Sequence, residues 1–217
     1  MQVDTTAPGA HAFCPRRLYA LHMPRTLFLT HRSPFARKVR ILLLEKGLDF
    51  EERAVDLSAR SAEFIAIAPL GKVPVLVDID GTTIFDSSVI AEYLEDRYPE
   101  PAMLGQGPLE RLAHRSIDEL ADVAADQAIS LFMKRGTEAD LLRIDKLLER
   151  ALRELASRVE RGSFPSQFGL AHAAVVGMYH YLAFRLGSER FAHLPAVCDL
   201  VQRLETRPSV EKTQLVP

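Results

Sequence analysis

The chain has little of what marks the specialised classes of protein. Its 217 residues include two cysteines, Cys14 and Cys198, too few for a disulfide framework or a cysteine-rich zinc site. The 27 basic and 29 acidic residues balance, which argues against nucleic-acid and membrane-surface partners. No apolar run approaches the roughly 20 residues that a membrane helix needs. With 47% hydrophobic residues, the composition is typical of a globular protein from a reducing compartment.

The first 22 residues differ from the rest because they show neither helical nor strand periodicity. They lack the apolar stretch of a signal peptide, and Asp4 occupies the place of its basic region. A disordered tail, a remnant of cloning and a start assigned too far upstream all fit this extension, residues 1–22. Since Met23 directly precedes the first strand-like run, we expect the functional body to span residues 23–217.

Residues 23–100 alternate between strand and helix patterns. Ser33 followed by Pro34 is a good start for a helix, and Gly47 is a good end for it. Around this helix the patterns predict strands at 25–30, 50–57, 73–79 and 82–85 and helices at 61–67 and 89–96. Asp80-Gly81 between the last two strands is a hairpin signal. The order is therefore βαβαββα.

The second half of the chain reads as helical throughout. Residues 101–108 are rich in proline and glycine and predict a linker before an all-helical domain at 109–217. Apolar periodicity predicts its helices at 109–133, 141–159, 170–186 and 195–206. The helix at 170–186 is mostly apolar on all sides, which is typical of a central buried helix.

Ser33 is the first candidate for chemistry, because it stands at a strand-to-helix turn. The N-terminus of a helix offers free N–H groups and partial positive charge, which stabilise an anion. A hydroxyl at this position can also donate a hydrogen bond to a thiolate, and both effects lower the pKa of a thiol from about 8.5. The alternative from the residues alone is a plain helix cap.

Two further places could hold parts of a peptide-like ligand. Val73-Pro74 lies inside a strand pattern, and a cis bond there would leave the backbone of Val73 free to pair with an extended peptide. An edge strand that starts with proline explains the same residues. Asp86 and Ser87 precede the next helix, where the carboxylate can hold an ammonium and the hydroxyl and helix amides a carboxylate. Simple capping is again the alternative.

Taken together, three segments resemble the glutathione S-transferase superfamily. They read SPFARKVRILLLEKG, PLGKVPVLVD and FDSSVIAEYLEDRYP, in this order and spacing. The likeness covers about residues 25–104, continues more weakly to Arg207-Pro208-Ser209-Val210, and is nearest to bacterial serine-type members with an SPF-x-RK pattern. It implies an α/β thioredoxin-like domain followed by an all-α domain, usually in a homodimer.

The resemblance also implies roles for individual residues. Ser33 would activate the glutathione sulfur, Val73 would pair with the cysteinyl backbone, and Lys72 would face the glycine carboxylate. Asp86 and Ser87 would hold the γ-glutamyl end. The glutathione-binding set is Phe35, Lys72, Val73, Pro74, Asp86 and Ser87. A second-substrate pocket would lie along the first long helix, around Arg111, His114, Arg115 and Asp118.

Two departures from the family pattern matter. No cysteine lies near Ser33, which argues against members that form a mixed disulfide with glutathione. The usual Ser/Thr-x-x-Asp capping box of the central helix becomes Gly169-Leu170-Ala171-His172, so we expect the reciprocal cap to be missing, typically about 1 kcal/mol. His172 and His180 lack a third ligand at metal-binding spacing, and we expect packing or surface roles and no metal.

The leading hypothesis is a cytoplasmic glutathione transferase that conjugates the glutathione thiolate to a small hydrophobic electrophile. Glutathione would be the co-substrate, without a metal, nucleic acid or membrane partner. One alternative is a non-catalytic interaction or regulatory protein on the same fold, since fold does not fix function. Another is a different glutathione-dependent reaction, such as isomerisation, dehalogenation or peroxide reduction.

Overall fold

A computed structural model describes residues 24–215, so the predicted extension at 1–22 lies outside the described residues. The first half holds a four-stranded sheet with the order β2-β1-β3-β4. Its elements are β1 (Thr26–Leu29), α1 (Pro34–Glu45), β2 (Glu51–Ala54), α2 (Ala62–Ile67), β3 (Val75–Val77), β4 (Thr83–Ile84) and α3 (Ser87–Arg97). β2 runs parallel to β1, whereas β3 and β4 are antiparallel to their neighbours. The predicted βαβαββα order is confirmed.

The strands are shorter than the sequence pattern predicts. β2 spans four residues instead of the predicted 50–57, because its only partner, β1, offers four pairing positions, from Thr26 to Leu29. All four residues of β2 are exposed, and three of them are charged. Charged side chains protect an edge strand from pairing with other chains. β4 pairs through Thr83 and Ile84 after a turn in which Gly81 has a φ of 83°.

The second half is helical, as predicted. It comprises α4 (Pro108–Phe132), α5 (Glu138–Glu160), α6 (Leu170–Leu186), α7 (Pro195–Leu204) and α8 (Pro208–Glu211), with a 3₁₀ turn at Ser188–Phe191. The bounds of α6 match the predicted helix, and its residues are buried over most of its length. The predicted helix at 195–206 ends at Leu204, and the sequence analysis missed α8.

The two halves of the chain share a hydrophobic core, and α6 is the helix of the second half that packs against the first. Leu170, Ala173 and Val176 of α6 belong to the same buried cluster as β1, α1 and α3. Gly177 allows the close approach, since a Cβ there would stand 2.7 Å from the carbonyl oxygen of Pro34. Any larger residue would therefore push α6 away from the N-terminus of α1.

The start of α6 is capped more fully than expected. The N–H of Gly169 donates to Nδ1 of His172 at 3.2 Å, so one of the two bonds of the capping box is kept by a histidine in place of the family's aspartate. The N–H of Ala171 donates to Nδ1 of His114 at 3.2 Å, and the N–H of Leu170 to the carbonyl of Met103 at 2.7 Å. The prediction that the reciprocal cap is missing is therefore wrong for this bond.

Both capping histidines are held neutral, as an Nδ1 acceptor must be. Burial, together with the nearby His114 and Arg207, lowers the pKa of His172 to about 4. Burial likewise lowers the pKa of His114. The ring of His172 packs edge-on against Phe164 and is stacked on Phe168, which gives it the packing role expected from the sequence.

Candidate functional site

Ser33 occupies the turn between β1 and α1. Its N–H donates to the carbonyl of Thr30 at 3.0 Å, and its Oγ accepts from the N–H of Ala36 at 3.2 Å. Ser33 is therefore the cap of α1, one of the two roles left open by the sequence. The other role is compatible with it, because a hydroxyl that accepts one hydrogen bond still has its own O–H to donate. The residue is half-buried, so a ligand can reach it.

Val73 lies two residues before the start of β3, and its bond to Pro74 is cis, as predicted. Within residues 24–215, neither the N–H nor the carbonyl of Val73 has a main-chain hydrogen-bond partner. These two groups are therefore available to a ligand with an extended backbone. Lys72, the preceding residue, is exposed to solvent.

Asp86 is the cap of α3. Its Oδ1 accepts from the N–H groups of Ser88 at 3.2 Å and Val89 at 3.5 Å, while the residue itself is exposed. Ser87 begins the helix and is buried. A carboxylate and a helix N-terminus thus stand side by side, a pair that suits a ligand carrying both an ammonium and a carboxylate.

The strand register brings these three places to one edge of the sheet. Phe28 of β1 pairs with Val75 of β3, so the end of β1 meets the start of β3, where Val73 stands. Leu76 of β3 pairs with Ile84 of β4, so the end of β4, which leads into Asp86, reaches the same edge. The residues that the sequence singled out separately therefore lie at the same edge of the sheet.

Phe35 behaves differently from the other predicted glutathione residues. It is half-buried and packs against the hydrophobic core of the helical domain. Its ring thus helps to hold the start of α1, and with it Ser33, against the second half of the chain.

A buried ion cluster that the sequence analysis missed lies behind this edge. Nζ of Lys38 donates to Oδ1 of Asp118 at 2.6 Å and to Oδ2 of Asp122 at 2.7 Å. The hydroxyl of Ser88 donates to Oδ2 of Asp118 at 3.0 Å. The cluster therefore ties α1, which carries Ser33, to the start of α3 and to α4. The polar pattern of α4 does not reveal it, because its cation is 80 residues away from Asp118.

The charges in this cluster shift one another's titration. Burial raises the pKa of Asp122 to about 6, and the neighbouring Asp118 adds to the rise, against the opposing effect of Lys38. Burial acts to lower the pKa of Lys38, but Asp122 and Asp118 outweigh it and raise that pKa. Lys38 is therefore charged at neutral pH.

Arg37, the other basic residue of the SPF-x-RK pattern, is also structural. Its Nη1 lies 2.8 Å from Nδ1 of His180, and its Nη2 donates to the carbonyl of Val210 at 3.3 Å. Burial lowers the pKa of Arg37 to about 10, and Arg40 contributes to the lowering. Both basic residues of the pattern thus join the two halves of the chain.

The predicted second-substrate pocket does not form from its four residues. His114 caps α6, and Asp118 binds Lys38; both are buried, which takes them out of reach of a substrate. Arg111 and Arg115 form ion pairs with Glu92 of α3, and Arg111 also pairs with Asp96 at 3.3 Å. The prediction is therefore wrong for His114 and Asp118, and the two arginines belong to the contact between α3 and α4.

The described part of the chain shows neither a metal-binding cluster nor a membrane-spanning helix. Within residues 24–215, no group of three or more histidine, cysteine, aspartate or glutamate side chains could hold a metal ion. Over the same residues, every helix is too short or too polar to cross a bilayer.

The fold and the site define a two-domain protein with a thioredoxin-like half and a helical half. Residues 27–102 match the family model described as glutathione S-transferase, N-terminal domain. The uncharacterized GST-like protein YibF of Escherichia coli K12 is 36% identical over 196 residues, which is 85% of this chain and 96% of that protein. The chain therefore belongs to the glutathione S-transferase family.

A solved structure agrees over almost the whole chain. The glutathione S-transferase of Methylobacterium radiotolerans, in complex with glutathione sulfonate, has a TM-score of 0.82 and 30% identity, and the match covers 90% of this chain and 98% of that one. The thioredoxin-like fold with a helical second domain is thus confirmed. Homodimers and roles in detoxification are typical of this family.

Relatives with other names match over less than half of the chain. The maleylacetoacetate isomerase of Pseudomonas aeruginosa is 38% identical over 99 residues, 43% of this chain and 47% of that one. The stringent starvation protein A homolog of Haemophilus influenzae is 38% identical over 90 residues, 42% of each chain.

Proposed function

We propose that the protein is a glutathione transferase in which Ser33 stabilises the glutathione thiolate for attack on a small hydrophobic electrophile. The observation that carries the proposal is the position of the Ser33 hydroxyl at the N-terminus of α1, at the sheet edge that also holds Val73 and Asp86. The helix dipole and a donated O–H bond both favour the thiolate over the thiol.

The remainder of glutathione fits the same edge. The free backbone groups of Val73 pair with the cysteinyl residue, and the cis Pro74 follows them. Lys72 faces the glycine carboxylate, Asp86 holds the γ-glutamyl ammonium, and Ser87 with the amides of α3 holds its carboxylate. Phe35 serves this site by packing α1 on the helical domain.

The reaction needs little beyond this arrangement. Thiolate stabilisation raises the concentration of the nucleophile, and fixed binding of glutathione positions its sulfur. Ser33 is the catalytic residue because it contacts the reacting atom. No mixed disulfide with the protein is required, and the sequence has no cysteine beside Ser33.

Ultraviolet difference titration with glutathione at neutral pH tests the proposal. Wild type develops thiolate absorbance, and Ser33→Ala and Ser33→Gly lose it, with turnover reduced about tenfold or more for one lost bond to an anion. The glycine variant is the matched control, since glycine replaces a serine cap at a cost of only a few tenths of a kcal/mol. Unchanged turnover in both variants would show that Ser33 lacks this role, and Thr30 would be tested next.

Two alternative functions predict different results. A non-catalytic interaction protein, as the likeness to stringent starvation protein A homologs allows, would bind no glutathione in calorimetry. Another glutathione-dependent reaction, as the likeness to an isomerase allows, would give the thiolate band without conjugation of electrophiles. The cytoplasmic location and the lack of a metal, nucleic-acid or membrane partner stay predictions from the sequence.

We also propose a homodimer that forms across α3 and α4. Leu109 and Leu112 of α4 are 80% and 60% exposed, and Val89 of α3 is 52% exposed. The ion pair of Arg111 with Glu92 holds these two helices together beside the apolar residues. A second copy of the chain would remove this apolar surface from water.

A further inference from the structure

The end of α6 carries an arginine in an unusual setting. The guanidinium carbon of Arg185 lies 4.2 Å from the centre of the Phe132 ring, 4.8 Å from that of Phe184 and 5.7 Å from that of Tyr181. Within residues 24–215, its Nε atom is buried and has no hydrogen-bond partner. An arginine held by aromatic rings can present its remaining, accessible N–H groups to an anion.

The rings around Arg185 are open to solvent. Phe132 is 45% exposed and Phe184 is 43% exposed, and Met133 beside them is exposed as well. They come from the last turns of α4 and α6, so their apolar surface faces neither of the two cores completely. A flat apolar molecule can lie against such rings in stacked or edge-on contact.

This aromatic and arginine patch adjoins the loop that carries Ser33. The guanidinium carbon of Arg32 lies 6.0 Å from the centre of the Phe184 ring, and Arg32 directly precedes Ser33 in the chain. Gly177, which touches Pro34, stands two turns before Phe184 on the same helix. The patch therefore lies beside the turn that carries Ser33, on the side of the helical half.

Three arginines, Arg32, Arg135 and Arg185, give the patch positive charge. Among the residues described, Arg32, Arg135 and Arg185 form no ion pair with a carboxylate. Burial raises the pKa of Tyr181, and the nearby Arg185 and Arg135 act in the opposite direction. Three cations beside apolar rings favour a hydrophobic substrate that also carries a negative charge.

We propose that this patch binds the second substrate and that it selects planar electrophiles that carry a carboxylate. The carboxylate binds the guanidinium of Arg185, and the flat body lies against Phe132 and Phe184. The reacting carbon is then directed towards the glutathione sulfur at Ser33. This inference rests on the proposed function, and it replaces the pocket around Arg111 and His114 with a site at the opposite end of α4.

For a chloroarene substrate, the step is nucleophilic aromatic substitution. The thiolate sulfur attacks the ring carbon that bears chlorine, a C–S bond forms, and the C–Cl bond breaks with the electron pair leaving on chloride. The thiol proton passes to solvent. Nothing is oxidised or reduced, and the carboxylate of the substrate serves recognition alone.

Binding of two matched ligands tests the site without any turnover. In calorimetry, we expect dinitrobenzoate to bind wild type at least tenfold more tightly than dinitrobenzamide, which has the same ring and no charge. Arg185→Gln should remove most of this preference, and added salt should weaken it because the site is partly exposed. Arg203→Gln, an exposed arginine on α7, serves as the control and should change neither affinity. Equal affinities in wild type, or a preference that survives in Arg185→Gln, would overturn the proposal.

Turnover then separates this inference from the function on which it rests. With chlorodinitrobenzoate and chlorodinitrobenzamide as substrates, Arg185→Gln should lower kcat/KM for the anion about tenfold more than for the amide. If the anion binds as expected but neither compound is conjugated, the site stands and the transferase function fails. If both are conjugated at the same rate and Arg185→Gln slows them equally, the transferase function stands and charge selection fails. Arg185→Lys should restore part of the preference. If Arg185 had a purely structural role, the loss of kcat/KM in each variant would instead follow the loss in its melting temperature.

Discussion

Replacement of Lys38 by methionine would remove the only cation from the buried cluster behind the site. The side chain of Lys38 is 1% exposed, and those of Asp118 and Asp122 are 5% and 22% exposed. The variant would therefore leave two carboxylates close together, with the Ser88 hydroxyl as their one remaining side-chain donor among residues 24–215. Loss of one partner from a buried ion pair costs about 3–5 kcal/mol, a large share of the 5–15 kcal/mol that typically separates folded and unfolded chains.

The pH dependence of this loss identifies its cause. The pKa of Asp122 is already raised to about 6 in the wild type, and removal of the ammonium raises it further. The folded variant then binds more protons than the unfolded chain, so its stability falls as the pH rises through this range. Urea unfolding should show a small deficit near pH 5 and the full deficit near pH 8.

Two controls complete the experiment. Lys134→Met removes an exposed lysine after α4 and should leave the free energy of unfolding within about 0.5 kcal/mol of wild type. Lys38→Met combined with Asp122→Asn removes one of the two facing carboxylates and should recover part of the stability. An equal deficit at both pH values, or a deficit below about 1 kcal/mol, would refute the argument that buried charge causes the loss.

Two further predictions concern the α6 cap and the exposed apolar face. The pKa of His172 is lowered to about 4 in the folded protein, so the unfolded chain binds more protons below about pH 6.5 and stability falls as the pH drops towards 4. This loss of unfolding free energy amounts to about 3 kcal/mol. His172→Gln should therefore flatten the slope of unfolding free energy against pH in this window. An unchanged slope would contradict the role of the cap. For the proposed dimer, Leu109→Asp with Leu112→Asp should convert it to a monomer in analytical ultracentrifugation, whereas Leu142→Asp on α5 should not. A wild type that sediments as a monomer would exclude this interface.

The order of elements from β1 to α7 could be predicted because each of them carries its own local signal. Ser33-Pro34 marks the start of α1, Asp80-Gly81 marks the hairpin, and the apolar run at 170–186 gives α6 its bounds. The strand lengths could not be predicted in the same way. The alternation at 50–57 continues past the point at which β1 ends and no partner remains for pairing.

The residues of the site also differ in whether a local sequence signal marks them or a distant partner determines their role. Ser33, Val73 and Asp86 could be found because a turn, a proline and a cap mark them in the sequence. The roles of Asp118 and His114 could not, since their partners, Lys38 and Ala171, lie 80 and 57 residues away. The sequence does not point to Arg185 either, because the aromatic environment of its guanidinium depends on Phe132, which belongs to another helix. The sequence of a helix with mixed polarity shows which residues are polar but not which residues they contact in the folded chain.

The arginines of α1 have a consequence for how the chain is made. Arg37 and Arg40 bind the carbonyl oxygens of Val210 and Thr213, each 173 residues later in the sequence. During synthesis, the sheet and α1 therefore leave the ribosome long before these carbonyl groups exist. Until then the guanidinium of Arg37 stays hydrated, and that of Arg40 has Glu52 of β2 as its partner. The face of α1 that α6 and α8 will cover remains exposed to water. The first half is thus completed last, when the segment around α8 closes over it.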